Sequence, residues 1–164
     1  VGALKTTAVY RRNADWGDEA DWCVETWLRV VDQGDEPDYG LSVWFRPDHG
    51  RNAAIYLREN EVGIQSSVSA THHQVLKKVA MDTTDGFHWY RLVHEGGAAG
   101  TVKLYVDGVE VISLPFGELH PRAGSGGNVM FGPNAGHREG RIHVARFGYS
   151  TGSAAVLLGP VPRG

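Results

Sequence analysis

Apolar and polar residues alternate with period two along most of the chain, and no stretch carries the three-to-four-residue stripe of an amphipathic helix. In residues 22–31, Trp22, Val24, Thr26, Leu28 and Val30 alternate with Cys23, Glu25, Trp27 and Arg29. Period two points successive side chains to opposite faces of a strand, so each such run predicts one buried and one outward set. A polar stretch containing Gly34 and Pro37 ends that run. Leu41, Val43 and Phe45 then alternate with Ser42, Trp44 and Arg46, up to a turn at Pro47-Asp48-His49-Gly50. Ile55 and Leu57 alternate with Tyr56 and Arg58, and a tight turn at Asn60-Glu61 leads to Val62 and Ile64.

Residues 66–74 are polar and read as a loop, 75–81 as a short strand, 82–86 as a turn and 88–94 as a strand. After a glycine loop at 96–100, strands 101–106 and 109–114 flank Asp107-Gly108, a strong hairpin signal. Residues 115–127 show no period, and 128–132 and 141–149 are the last predicted strands. About ten short strands at regular spacing predict an all-β fold, a two-sheet antiparallel sandwich.

The 164 residues suit one domain, 1–164, with a core over about 22–152 and a tail over 153–164. Hydrophobic residues make up 41% and charged residues 21%, which is a globular balance. The net charge of −3 lacks the basic excess that phosphate binding needs, which argues against nucleic acid. The longest uncharged stretch, 148–162, is too short and too mixed to insert in a membrane. Residues 1–12 hold no apolar leader, and the chain opens on Val1, as expected of a module of a larger protein. A single cysteine, Cys23, excludes an intrachain disulfide, and its mid-strand place suits an inert small side chain.

Residues 89–108 carry a Trp-Tyr-Arg strand, a glycine loop and then Val102-Lys103-Leu104-Tyr105-Val106-Asp107-Gly108. This pair resembles the matching strands of laminin G-like and other concanavalin A-like jelly-roll domains. Residues 39–46 followed by Asn52-Ala53-Ala54-Ile55-Tyr56-Leu57 are similar to their upstream hairpin, and 140–149 to their closing strand. The resemblance spans roughly residues 22–152. It implies the sandwich fold, an extracellular or secreted setting, and a carbohydrate or protein as partner. The closing strand departs from many relatives in having His143 after Ile142, where an acidic residue serves those that hold calcium.

No catalytic signature emerges. Hydrolases of this fold place carboxylates at alternate positions of one strand, whereas Glu19, Asp21 and Glu25 are spaced one residue too far and begin in a turn. Arg46, Tyr56, Arg58, Gln65 and a nearby histidine have the residue types of a polysaccharide lyase, without a diagnostic spacing. Adjacent His72 and His73 point oppositely in extended chain, and His137, Glu139 and His143 span a turn, so neither set forms a zinc site by itself. No cofactor is expected. A weak calcium candidate is the oxygen-rich run with Asp15, Asp18 and Asp21.

The informative chemistry lies in strand register. A hairpin centred near Gly50 sets Trp44 opposite Tyr56, Arg46 opposite Ala54 and Ser42 opposite Arg58. A turn at Asn60-Glu61 sets Tyr56 beside Gln65. Cross-strand neighbours lie ~5 Å apart, so Trp44, Tyr56 and Gln65 would form one row flanked by Arg46 and Arg58. Trp27 and Arg29 share the outward parity on another strand, as do Lys103 and Tyr105. Sugar rings stack on flat aromatics, and hydroxyls and carboxylates accept from arginine. The expectation is a non-catalytic, lectin-like module for an extracellular glycan, with Trp27, Trp44, Arg46, Tyr56, Arg58, Gln65 and Tyr105 as ligand-binding residues. Two alternatives remain open: a carbohydrate-active enzyme on the same face, and a structural or protein-interaction module in which the aromatics pack beneath a loop.

Overall fold

The alternation over residues 22–31 is realised as a long strand, Trp22–Asp32, whose Trp22, Val24, Leu28 and Val30 enter the core. The computed structural model describes residues 10–13, 21–32, 41–46, 51–69, 72–121, 128–133 and 141–151; of 10–13, 41–46 and 128–133 it describes the backbone alone. Among these, eleven strands follow in order: β1 (Tyr10–Asn13), β2 (Trp22–Asp32), β3 (Leu41–Arg46), β4 (Ala53–Arg58), β5 (Glu61–Ser67), β6 (His73–Ala80), β7 (His88–Glu95), β8 (Thr101–Val106), β9 (Val109–Pro115), β10 (Asn128–Pro133) and β11 (Arg141–Thr151). They form two antiparallel sheets, ordered β1-β10-β3-β4-β5-β6 and β11-β2-β7-β8-β9. The inner faces meet in one core. Ile55, Leu57, Val62 and Ile64 come from the six-strand sheet, and Val24, Leu28, Tyr90, Leu92, Leu104 and Ile112 from the five-strand sheet. Burying each large apolar side chain contributes roughly 1.5–3 kcal/mol, so this layer dominates the stability. Among the described residues no helix is long and apolar enough to cross a membrane.

The predicted hairpin at Asp107-Gly108 forms. Asp107 has φ 50° and Gly108 φ 86°, the left-handed pair that a two-residue turn between twisted strands requires. The Asp107 carboxylate also accepts from the Trp89 amide at 2.9 Å, and the Asp107 amide donates to the Trp89 carbonyl at 2.9 Å. The glycine loop closes tightly at Gly100, where a Cβ would stand 1.9 Å from the Glu95 carbonyl oxygen. Asp21 Oδ1 accepts from the amides of Gly96 and Gly97 at 2.9 and 3.3 Å, pinning this loop to the start of β2.

Three sequence expectations need correction. Residues 66–74 are largely strand rather than loop: β5 runs through Ser67 and β6 starts at His73. Their polar side chains suit a strand because Ser66 Oγ donates to the Asn52 carbonyl at 2.7 Å and Ser67 Oγ meets His73 Nδ1 at 2.8 Å. The tight turn lies at Glu59-Asn60 rather than Asn60-Glu61, since Arg58 pairs with Glu61. Strand β1 carries no alternation and escapes a sequence reading; its backbone pairs with β10.

Candidate functional site

Strand register puts the predicted residues on two different faces. Trp44 lies opposite Ala54, and Ser42 opposite Tyr56. Ala54 in turn pairs with Gln65, and Tyr56 with Gly63. The expected Trp44–Tyr56–Gln65 row is therefore corrected. Trp44 and Gln65 flank Ala54, while Tyr56 sits in the next row. Arg46 does not face Ala54, nor Ser42 Arg58. Both registers differ from expectation by two residues, a slip that keeps the period-two parity of Tyr56, Arg58 and Gln65 and shifts only their position along the strand.

Around Tyr56 the polar groups satisfy one another. Tyr56 Oη donates to Glu61 Oε1 at 2.9 Å, and Lys78 Nζ reaches Glu61 Oε2 at 2.8 Å. Burial, and then the bond to Glu61, push the Tyr56 hydroxyl up to about 12. The hydrogen bond from Lys78 holds the Glu61 carboxyl below its ordinary value. Tyr56 and Gln65 are each 3% exposed, and Arg58 is half-buried.

The outer face of the five-strand sheet is built differently. Its central row runs Gly148, Glu25, Arg91, Tyr105, Glu110 across β11, β2, β7, β8 and β9. The next row sets Arg146, Trp27 and Trp89 side by side. The Arg91 guanidinium lies over the Trp89 ring at 5.1 Å and over the Tyr105 ring at 5.3 Å. Such cation–aromatic contacts hold both rings in place.

Glu25 is 4% exposed and Arg91 8%. Glu25 Oε2 and Arg91 Nε are buried without a hydrogen-bond partner. Burial raises the Glu25 carboxyl above its ordinary value, against the pull of Arg146, Arg91 and a Trp89 hydrogen bond. Burial likewise pushes the Cys23 thiol up, which keeps it protonated and unreactive. Trp27 and Tyr105 are half-buried, and Arg29 is exposed. Of the expected ligand-binding residues, then, Trp27 and Tyr105 share this face. Tyr56, Arg58 and Gln65 belong to the other sheet.

Glu25, Trp89, Arg91 and Arg146 were not among the expected ligand-binding residues, although Glu25 entered the hydrolase comparison and Trp89 and Arg91 the resemblance. For Trp89 and Arg91 the signal was present: they alternate with the core residues Tyr90 and Leu92. Arg146 depends on a bulge between Val144 and Arg146, which adds one residue to β11. Without it Ala145 would oppose Trp27. The bulge is held by Thr26 Oγ1, which donates to the Arg146 carbonyl at 3.1 Å.

Among the described residues no group of three or more metal-ligating side chains converges. The calcium candidates Asp15 and Asp18 lie outside the described residues, as do His137 and Glu139, and Asp21 spends one oxygen on the glycine loop.

No protein-family model and no curated protein sequence matches the chain. Solved structures do. The ligand-binding domain of botulinum neurotoxin serotype D, in complex with N-acetylneuraminic acid, superposes with a TM-score of 0.53 at 13% identity, over 91% of this chain and 38% of that one. A Bacillus licheniformis β-glucanase superposes with a TM-score of 0.50 at 15% identity, over 79% of this chain and 59% of the enzyme. The Emp47p carbohydrate recognition domain gives 0.49 at 11% identity, over 91% and 82%. The chain spans less than two thirds of the length of the toxin domain and of the glucanase. Its fold is the concanavalin A-like jelly roll, which lectins and carbohydrate-active enzymes share.

Proposed function

We propose, with the concanavalin A-like jelly roll as premise, that this chain is a non-catalytic module that binds an extracellular glycan on the outer face of its five-strand sheet. The observation that carries this reading is the half-buried Trp27 and Tyr105 rings on one face, backed by the buried Trp89 opposite Trp27 and by Arg91 laid against Trp89 and Tyr105. Flat rings on an outward sheet face offer sugar C–H faces a stacking surface, and arginine offers hydroxyls a forked donor. The face with Tyr56 is the weaker candidate, because Tyr56 and Gln65 are both buried, whereas Trp27 and Tyr105 are half-buried. That a toxin ligand-binding domain in complex with N-acetylneuraminic acid and a β-glucanase share the fold supports a carbohydrate ligand in general.

Trp27→Ala removes the half-buried ring. On a glycan array the variant should bind at least about tenfold more weakly, the equivalent of ~1.4 kcal/mol, with its melting temperature nearly unchanged. Trp44→Ala is the companion variant. Loss of binding in Trp44→Ala with full binding in Trp27→Ala would transfer the site to the other sheet.

One observation favours an enzymatic second reading. The Glu25 carboxyl has a free, buried oxygen and resists ionisation, as a proton donor must. Glycoside hydrolysis needs a second carboxylate within about 5–9.5 Å, and the other acids described on this face, Glu95 and Glu110, stand on β7 and β9. Incubation with a panel of polysaccharides, assayed for new reducing ends and for unsaturated products, tests it; product formation abolished by Glu25→Gln would establish the enzyme.

A further inference from the structure

Charge is distributed unevenly over the outer face of the five-strand sheet. The whole chain carries −3. Yet on β2 and β11 Arg29 faces His143 and Trp27 faces Arg146, and Arg91 follows Trp89 along the outer face of β7. Arg29 and His143 are exposed, and Arg146 is half-buried. Arg29 Nε donates to the Thr84 carbonyl at 2.8 Å, which anchors the guanidinium by one of its donors, two residues along β2 from Trp27.

The acids described on this face lie elsewhere or are weakened. Glu95, at the end of the central strand β7, pairs with Lys103 at 3.3 Å, and Glu110, on the far edge strand β9, accepts from Tyr105 Oη at 3.4 Å. Glu25 stands in the row next to Trp27, and its burial opposes its charge, while Asp85 and Asp107, near Thr84 and Trp89, are engaged with His88 at 2.7 Å each. Asp32, at the strand end, reaches Arg141 at 3.9 Å. Arg29, His143 and Arg146 thus share β2 and β11 with Trp27, and Arg91 stands on β7 one row away, in a chain that is acidic as a whole.

We propose that this half of the face takes an anionic glycan, its sugar ring stacked on Trp27 and its carboxylate or sulfate held by the guanidinium groups of Arg29 and Arg146. The inference rests on the carbohydrate-binding reading above and narrows it to a substrate class. Arginine suits this role because its planar fork meets a carboxylate or sulfate with paired donors. A nucleic acid is the less favoured polyanion, because a phosphate track needs the basic excess that the chain lacks.

Calorimetric titration of the complete chain tests this. The probes are an oligogalacturonate for carboxylate, a heparin oligosaccharide for sulfate, and cellohexaose and laminarihexaose as neutral controls, each at about 50 and about 200 mM salt. One or both anionic probes should bind about tenfold or more tighter than the neutral ones at low salt, and lose several-fold at high salt. The tighter of the two names the anionic group. The Arg29→Gln/Arg146→Gln double variant should fall to the neutral level for anionic probes while keeping its melting temperature and neutral-sugar affinity. Should that variant fail to fold, Arg29→Gln alone, at an exposed position, should lose roughly threefold or more.

Equal affinity for neutral and anionic probes, no salt dependence, or an unaffected double variant that has folded would overturn the inference. Trp27-dependent binding of neutral sugars in that case leaves the carbohydrate reading standing. No binding by the parent chain in any arm removes that reading itself. Single-stranded DNA of matched charge, bound as tightly as the uronate, would reassign the patch to nucleic acid.

Discussion

His88 stands between two carboxylates at one end of the sandwich. Its Nδ1 lies 2.7 Å from Asp107 Oδ2 and its Nε2 lies 2.7 Å from Asp85 Oδ1. Burial works against its charged form, but hydrogen bonds to Asp107 and Asp85 outweigh this and raise its pKa above the ordinary histidine value. Tyr90 lies edge-on to the ring at 6.0 Å, and Asp82 adds negative charge nearby. A group whose folded pKa is raised stabilises the fold fully below its unfolded value, ~6.5, and loses that contribution as pH rises through the folded value. Melting temperature should therefore fall as pH rises from about 6 through the folded-state value of His88, and His88→Gln should flatten that slope. Both carboxylates are partly exposed, so the effect amounts to about 1 kcal/mol or less. A parent chain whose melting is flat over this window would show that the clamp adds nothing. Nothing in the spacing of residues 85, 88 and 107 announces the clamp. It exists because the Asp107-Gly108 turn folds back onto the start of β7.

At the level of strands, Asn52 is the joint that the period-two reading overlooks. It is buried just before β4. Its Nδ2 donates to the carbonyls of Ser67 and His120 at 3.2 and 3.1 Å, and its Oδ1 accepts from the Ser67 amide at 2.6 Å. Together with the Ser66 hydroxyl, which accepts from the His120 amide at 2.9 Å, it ties β4, β5 and the segment after the Phe116–Glu118 3-10 turn into one unit. Asn52→Ala would strand these groups in the interior. An unsatisfied buried polar group costs about 1–3 kcal/mol, so urea unfolding should show a lower midpoint at an unchanged slope. A midpoint within error of the parent would mean that water replaces the amide.

The same joint explains why the registers of β3, β4 and β5 escaped the sequence. Alternation decides which face a residue joins, and it did so correctly for Tyr56, Arg58 and Gln65. It is indifferent to a slip of two residues, which side-chain ties such as Asn52–Ser67 and Tyr56–Glu61 settle.

For the molecule as a whole, topology has kinetic consequences. β1 pairs with β10, and β2 lies between β7 and β11, so residues more than 60 apart in sequence must meet before either sheet is complete. Loop closure on that scale precedes any gain from burial, and sandwiches of such non-local pairing refold in roughly milliseconds to seconds. Stopped-flow refolding followed by tryptophan fluorescence should fall in that range; a microsecond phase carrying the full amplitude would contradict it. Alternation, turn chemistry and the Asp107-Gly108 hairpin were enough to determine an all-β sandwich and the inward or outward parity of β2, β4, β5 and β8, because burial of one face is a local demand on each strand.

Tertiary structure alone decided which outward residues become neighbours. The bulge at Val144/Arg146 turns Arg146 toward Trp27 and sends Phe147 and Tyr149 to the core. Pairing of β2 with β7 brings Trp89 and Arg91 beside Trp27 and Glu25 from more than sixty residues away. A period in the sequence is satisfied by several registers and by any strand order. Choosing among them takes the hydrogen bonds and packing that only the assembled sheets provide.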